Sequence, residues 1–148
     1  MLDETRRVLM DLLESQRFAV VASQSKGQPY CSLVAFASTR DLGRLFFATP
    51  RYTRKYSNLL KKARSAILVD SRSNRAADIS KAVAVTAIGK VRELKGSTRT
   101  RYLEEYLAKH PHMKEFATSP SCSMLAMEVE RYYVVSKFQN VLELDVKK

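Results

Sequence analysis

Three cations crowd the start of a helix in the stretch ATPRYTRKYSNLLKKAR, where Arg51, Arg54 and Lys55 stand at the end at which the helix macrodipole favours acids. Cations placed there are unfavourable unless they hold an anion. Thr53 is of the right type, in the right place, to be the N-cap. A phosphate at this point would meet unpaired backbone N–H groups, a hydroxyl and cationic side chains able to give charge-assisted hydrogen bonds. Lys61, Lys62 and Arg64 differ, because they read as the last turn, where cations complement the dipole. The competing reading of the first cluster is a merely basic, solvated patch.

Other chemistries have less support. With only 4 glycines the chain has neither a G-x-G-x-x-G fingerprint nor a P-loop, so phosphate must be held by side chains and a helix end. The acids show no pairing in one cleft, and Ser, Cys and His show no nucleophile and base at a telling spacing. His110 and His112 flank Pro111 and read as a helix stop, not as metal or haem ligands. Cys31 and Cys122 are too few for a disulfide framework and read as reduced, buried thiols; neither points to a metal. The net charge of +11 concentrates anionic partners of any kind without choosing among nucleotide, nucleic acid and acidic protein.

The elements that must position these residues are mainly strands. Residues 3–15 repeat Val8, Leu9, Leu12 and Leu13 at helical spacing, with Asp3 as cap. Strand formers fill residues 17–23 and 30–38 around turn punctuation at Lys26, Gly27 and Pro29, which predicts a hairpin. Further strands are predicted at 44–49, 65–72, 82–92 and 123–135, with the basic helix after the third strand, a polar loop at 71–80 and a helix at 98–109. Six antiparallel strands suit a closed or split barrel, since closure removes exposed edges. The fold class expected is mainly β with flanking helices.

The chain's 148 residues and 45% hydrophobic content predict a single domain over 1–148, with a core that needs no staples. The apolar run at residues 33–37 is far short of the roughly 20 residues of a membrane span, and the N-terminus lacks a signal-peptide pattern. A soluble, cytoplasmic protein without membrane partners is the expectation.

Three pieces, GQPYCSLVAF at 27–36, LFFATPRYTRKYSNL at 45–59 and AILVDSRSN at 66–74, resemble the pyridoxamine 5'-phosphate oxidase-like, FMN-binding split-barrel family. The resemblance runs from about Arg17 to Gly89. It implies that the first piece, with Ser32 and Val34, lies along the flavin, that Thr49 faces it, that Thr53 sits beside the phosphate, and that Arg54 and Lys55 bind the phosphate. Arg72, Ser73 and Asn74 would flank the ring, although D-S-R-S-N is equally a plain turn composition.

The chain also departs from the family pattern. The oxidases carry an arginine and a lysine for the phosphate where this chain has Ser32 and Ala37, so Arg51 or Arg72 would have to substitute. The oxidases' C-terminal tryptophan and arginine-histidine pair are missing too, with 0 Trp in the chain, so vitamin B6 oxidation is not implied. The expectation is an FMN-binding oxidoreductase of unknown substrate, a homodimer by family resemblance, for which the sequence offers only an apolar excess on strands such as residues 45–48. No catalytic side chain is assigned, since the cofactor would supply the redox chemistry. The alternatives are a small basic nucleic-acid-binding module tracking phosphates with the cationic helix, or the same fold holding deazaflavin or haem.

Overall fold

The computed structural model describes residues 2–146. Helix α1 (Leu2–Ser15) buries Leu9, Leu12 and Leu13, as its 3.6-residue pattern requires. Asp3 does not precede the helix as a cap but sits in its first turn, where its charge still complements the dipole. Strands β1 (Phe18–Ser25) and β2 (Gln28–Ser38) form the expected hairpin, with only Lys26 and Gly27 outside the ladder at φ 51° and 82°. Two positive φ values in a two-residue turn match the twist of the flanking strands, and glycine takes the second without strain.

Next come β3 (Arg44–Pro50), α2 (Arg54–Lys61), β4 (Arg64–Asp70), the short α3 (Asp78–Lys81), β5 (Val83–Glu93), α4 (Gly96–Lys109), a 3-10 turn at Pro111–Met113, α5 (Lys114–Ala117) and β6 (Cys122–Ser136). Arg64 is not the end of α2. It opens β4 and donates twice to the Glu130 carboxylate, at 3.1 and 3.3 Å.

All pairings are antiparallel, in the order β3-β2-β1-β4-β5-β6, and β3 pairs back onto β6, so six strands close into a barrel. A seventh strand, β7 (Asn140–Asp145), extends the sheet from β6. The sequence hides it, because its hairpin turn uses Lys137 and Phe138 at φ 53° and 54°, closed by Gln139 N–H to the Ser136 carbonyl at 3.2 Å. Neither side chain is the asparagine or glycine that normally announces such a turn. On one side β6 therefore serves two neighbours, β3 along residues 122–128 and β7 along 131–136. The register against β5 shifts between Ile88 and Gly89, where β6 passes from one neighbour to the other.

Two cores result. Inside the barrel, Phe36, Phe47, Ile67, Val85 and Leu125 pack with the α1 leucines; outside it, α4 covers Phe46, Ala48 and Met124 with Tyr102 and Tyr106. Strand β3 and the first part of β6, residues 122–127, are therefore buried on both faces, which is why they read as near-continuous apolar runs. The apolar excess at residues 45–48 is thus internal and not an interface, since Leu45 and Phe47 face the barrel and Phe46 and Ala48 face α4. A different apolar surface stays open on the outer face of β1, β2, β4 and β5, where Phe18, Val20, Leu33, Leu68 and Ile88 lie in neighbouring register. Leu33 is 70% exposed and Phe18 59%.

The buried phenols set the alkaline limit of stability. Tyr132 donates to the Leu42 carbonyl at 2.7 Å and Tyr106 to that of Ala35 at 3.1 Å; burial pushes both hydroxyls up, Tyr106 to about 12. Above pH ~10 an unfolded tyrosine loses its proton while these keep theirs, so stability falls as pH rises through that window. Burial brings Lys109 down to about 8, which acts with the opposite sign. The unfolded chain then binds more protons between pH ~8 and ~10, and stability rises there. The melting temperature should therefore hold or climb to about pH 10 and fall beyond it, less steeply in Tyr106→Phe. A curve that stays flat to about pH 11.5 would mean the phenols ionise freely in the folded state.

Candidate functional site

Strand β3 delivers Thr49, the chain turns through residues 51–53, and α2 begins. Thr53 is the N-cap, with extended backbone, and its hydroxyl accepts from the Tyr56 N–H at 3.2 Å. The Thr49 and Thr53 hydroxyls lie 3.0 Å apart, and Lys55 Nζ donates to Thr49 Oγ1 at 3.0 Å. The structure thus brings Thr49, Thr53 and Lys55 into one cluster. Among the described residues the N–H groups of Arg54 and Lys55 donate to no protein group, so the orphan donors of the first turn point out of the helix.

Lys55 is half-buried, and desolvation lowers its pKa against a small opposing pull from Cys122. No carboxylate among the described residues comes within ion-pair distance of it. A cation held partly out of water with no carboxylate beside it is stabilised by a bound anion and destabilised without one. Arg54 is exposed, its guanidinium 5.6 Å from the ring centre of Tyr30 on β2. Tyr30 was not singled out by the sequence reading, although it belongs to the quoted GQPYCSLVAF piece.

Arg51, the third cation of the cluster in the sequence, does something else. It donates to the Cys122 carbonyl and Ser123 Oγ, both at 3.1 Å, and to the Pro120 carbonyl at 2.6 Å. These bonds tie the turn before α2 to the start of β6. Ser123 then donates to Glu93 at 2.6 Å, and Tyr56 of α2 donates to the same carboxylate at 3.0 Å. Burial pushes the Glu93 carboxyl up, but bonds from Ser123 and Tyr56 with the charges of Lys95 and Arg51 hold it below its ordinary value. This network clamps α2 onto β5 and β6. Sequence reasoning missed it because Glu93 lies 37 positions from Tyr56 and 30 from Ser123.

The remaining candidates fall elsewhere. Val34 is buried in the barrel core, so its side chain faces away from any surface ligand. Ser32 is half-buried on the same face of β2, opposite Val21. Arg72, Ser73 and Asn74 follow the end of β4 remote from α2, since β4 starts at Arg64 just after the helix and runs away from it. Arg72 pairs with Asp70 at 3.0 Å, and the N–H groups of Ser73 and Asn74 donate to Asp78. Within one chain these three form an organised turn, and the guanidinium groups of Arg51 and Arg72 are engaged by residues 120–123 and by Asp70 respectively. Cys31, expected to be buried, is exposed on the outer face of β2; Cys122 is buried, and desolvation raises its thiol pKa against the pull of Arg99, Arg51 and Lys55. A cavity of about 460 Å³ lined by Pro50, Tyr52, His112, Phe116 and Cys122 adjoins the cluster.

Comparisons with known proteins agree with this architecture. The sequence model described as pyridoxamine 5'-phosphate oxidase matches residues 6–136. No curated protein sequence matches the chain. A heme binding protein from Mycobacterium smegmatis superposes with a TM-score of 0.83 at 15% identity, over 95% of this chain and 57% of that one. ChuZ of Campylobacter jejuni superposes at 0.82 with 14% identity, over 97% of this chain and 60% of that one. The chain therefore spans under two thirds of these two proteins. A FAD-binding protein from Mesorhizobium loti, matched at TM-score 0.69 and 15% identity, is covered over 90% of its length by 86% of this chain. At such identities the shared property is the fold.

Proposed function

The chain belongs to the pyridoxamine 5'-phosphate oxidase family, and from that premise we propose that it is an FMN-binding flavoprotein, active in redox chemistry as a cytoplasmic homodimer. One observation carries the reading: the half-buried, acid-free ammonium of Lys55, set among two threonine hydroxyls and two free N–H groups at the start of α2. That donor set fits a phosphate dianion. FMN, when bound, supplies hydride and electron transfer. The chain's own residues bind and orient: Lys55 and Thr53 hold the phosphate, Arg54 closes over it from its perch on Tyr30, and the Arg51–Ser123–Glu93–Tyr56 network keeps the helix end in place. The open apolar face of β1, β2, β4 and β5 supports dimerisation, because an exposed stripe of this kind is stabilised by burial against its own copy.

Haem is the second reading, favoured by the Mycobacterium smegmatis neighbour, whose name records heme binding. A basic nucleic-acid module is the third, on the strength of the +11 charge. Reconstitution with FMN and with riboflavin, followed by fluorescence quenching and sedimentation of the same samples, separates these readings. FMN should bind at least about tenfold more tightly than riboflavin, with little salt dependence and on a dimer. Equal affinity for the two flavins would remove the phosphate from the account. Tight haem uptake without flavin binding would favour the second reading, and oligonucleotide binding that collapses with salt the third.

A further inference from the structure

We propose that the cavity beside the start of α2 is a nucleoside subsite, which takes the adenosine of FAD and so extends the cofactor site past the phosphate of FMN. This rests on the phosphate reading of Thr53 and Lys55. The cavity, about 460 Å³, lies among Pro50 and Tyr52 at the turn before α2, His112, Glu115 and Phe116 of the segment after α4, and Cys122 at the start of β6. Its size is that of an ordinary small-molecule pocket. In the closed ring of strands the β3–β6 seam beside it is opposite the β1–β4 seam, so covering the apolar stripe leaves the cavity open.

The cavity wall and the phosphate donors belong to one turn. The Pro50 carbonyl accepts from the Thr49 and Thr53 hydroxyls at 3.2 and 3.0 Å, and Tyr52 directly precedes the N-cap, its Cα about 3.8 Å from that of Thr53. A ligand whose phosphate lies at Thr53 thus meets the Pro50–Tyr52 side of the turn next. In FMN the phosphate ends the molecule. In FAD it continues through a second phosphate to adenosine, which needs a place within a few bonds of the first.

The walls suit that half of the molecule. Tyr52 is 82% exposed and Phe116 40%, and among the described residues neither ring, nor His112, nor Glu115, makes a hydrogen bond, ion pair or ring contact. Two unpartnered rings lining one cavity form a stacking platform for a flat base, unlike single apolar side chains scattered over a surface. The Glu115 carboxylate is an acceptor of the kind that holds ribose hydroxyls, and the His112 imidazole can both donate and accept. Arg51 supplies charge behind the wall. Its guanidinium has no carboxylate at ion-pair distance and donates to the Cys122 carbonyl at 3.1 Å, so it favours an anion along this turn.

Calorimetric titration of the flavin-free protein with FMN and with FAD tests the subsite. FAD should bind about tenfold or more tightly than FMN. Tyr52→Ala and Phe116→Ala, both at exposed positions, should each weaken FAD by roughly five- to 150-fold and leave FMN unchanged, while Tyr52→Phe, which keeps the ring, should hold FAD affinity within about twofold. Lys55→Met should weaken both flavins by the same factor, because the first phosphate is shared. FAD binding no tighter than FMN would overturn the subsite and leave the FMN reading standing, and so would a preference for FAD indifferent to both rings. Loss of FMN and FAD affinity to the same extent in Tyr52→Ala would put that ring against the flavin or in the fold, and overturn the adenosine assignment. Binding of neither flavin by the wild type would overturn both readings.

Discussion

Replacing Lys55 by methionine is expected to weaken FMN binding by about 1.5–3 kcal/mol, roughly ten- to a hundredfold, while leaving riboflavin affinity nearly unchanged. Lys55 is half-buried, donates to the Thr49 hydroxyl, and no carboxylate among the described residues neutralises it. Its removal takes away a charge-assisted bond to the phosphate. It also relieves the flavin-free protein of a desolvated cation at the wrong end of a helix dipole, and methionine keeps the volume, so the apo protein should melt at the same or a higher temperature. Arg54→Ala should cost less, because Arg54 is exposed and rests on Tyr30. Flavin fluorescence quenching and apo melting curves, run side by side, check both halves. Unaltered FMN affinity in both variants would return these residues to solvated surface charge. A marked loss of apo stability in Lys55→Met would make that lysine structural.

The largest stability effect is expected at Gly89, where a methyl group should cost about 3 kcal/mol or more and lower the melting temperature by about 10 °C or more. The reason is local and backbone-bound. A Cβ there would overlap the carbonyl oxygen of Glu128 and crowd the Met127 side chain, at the place where β5 and β6 shift register. Backbone cannot swing aside as a side-chain end can, so relief requires breaking the ladder that lets β6 pass from β3 to β7. Gly27→Ala is the contrast: nothing lies near its Cβ position, and its φ of 82° makes the cost one of backbone strain, about 1 kcal/mol. Denaturant unfolding of both variants measures the difference. Equal costs would mean that the close approach at Gly89 relaxes without loss.

Much of the fold is local in origin and was legible in the sequence. The leucines of α1, the Lys26-Gly27 turn and the strand formers around it act over a few residues, so periodicity and turn chemistry locate them. Thr53 as N-cap is of the same kind, because a cap bond spans only to Tyr56. The crowding of cations at the start of α2 is visible from residue type and position alone. Element ends and the last strand are less legible: Arg64 belongs to a strand, and β7 gives no signal because Lys137 and Phe138 make a turn without turn residues.

What the sequence by itself determined is therefore the succession of the six barrel strands and the three longer helices, with one cation-rich, capped helix start, since these depend on neighbours in the chain. What only the tertiary structure decided is which of those cations remains available. Arg51 is drawn to carbonyls of residues 120 and 122 and to Ser123, while Lys55 is left with hydroxyls, because barrel closure brings the start of β6 against the end of β3. The same closure decided which apolar residues are internal. Leu45 and Phe46 look alike in sequence, but one faces the barrel and the other α4, while Leu33, on a strand that reads no more polar, is left open to solvent. Burial is a property of what packs on a face, and that partner is set by contacts between residues far apart in the chain.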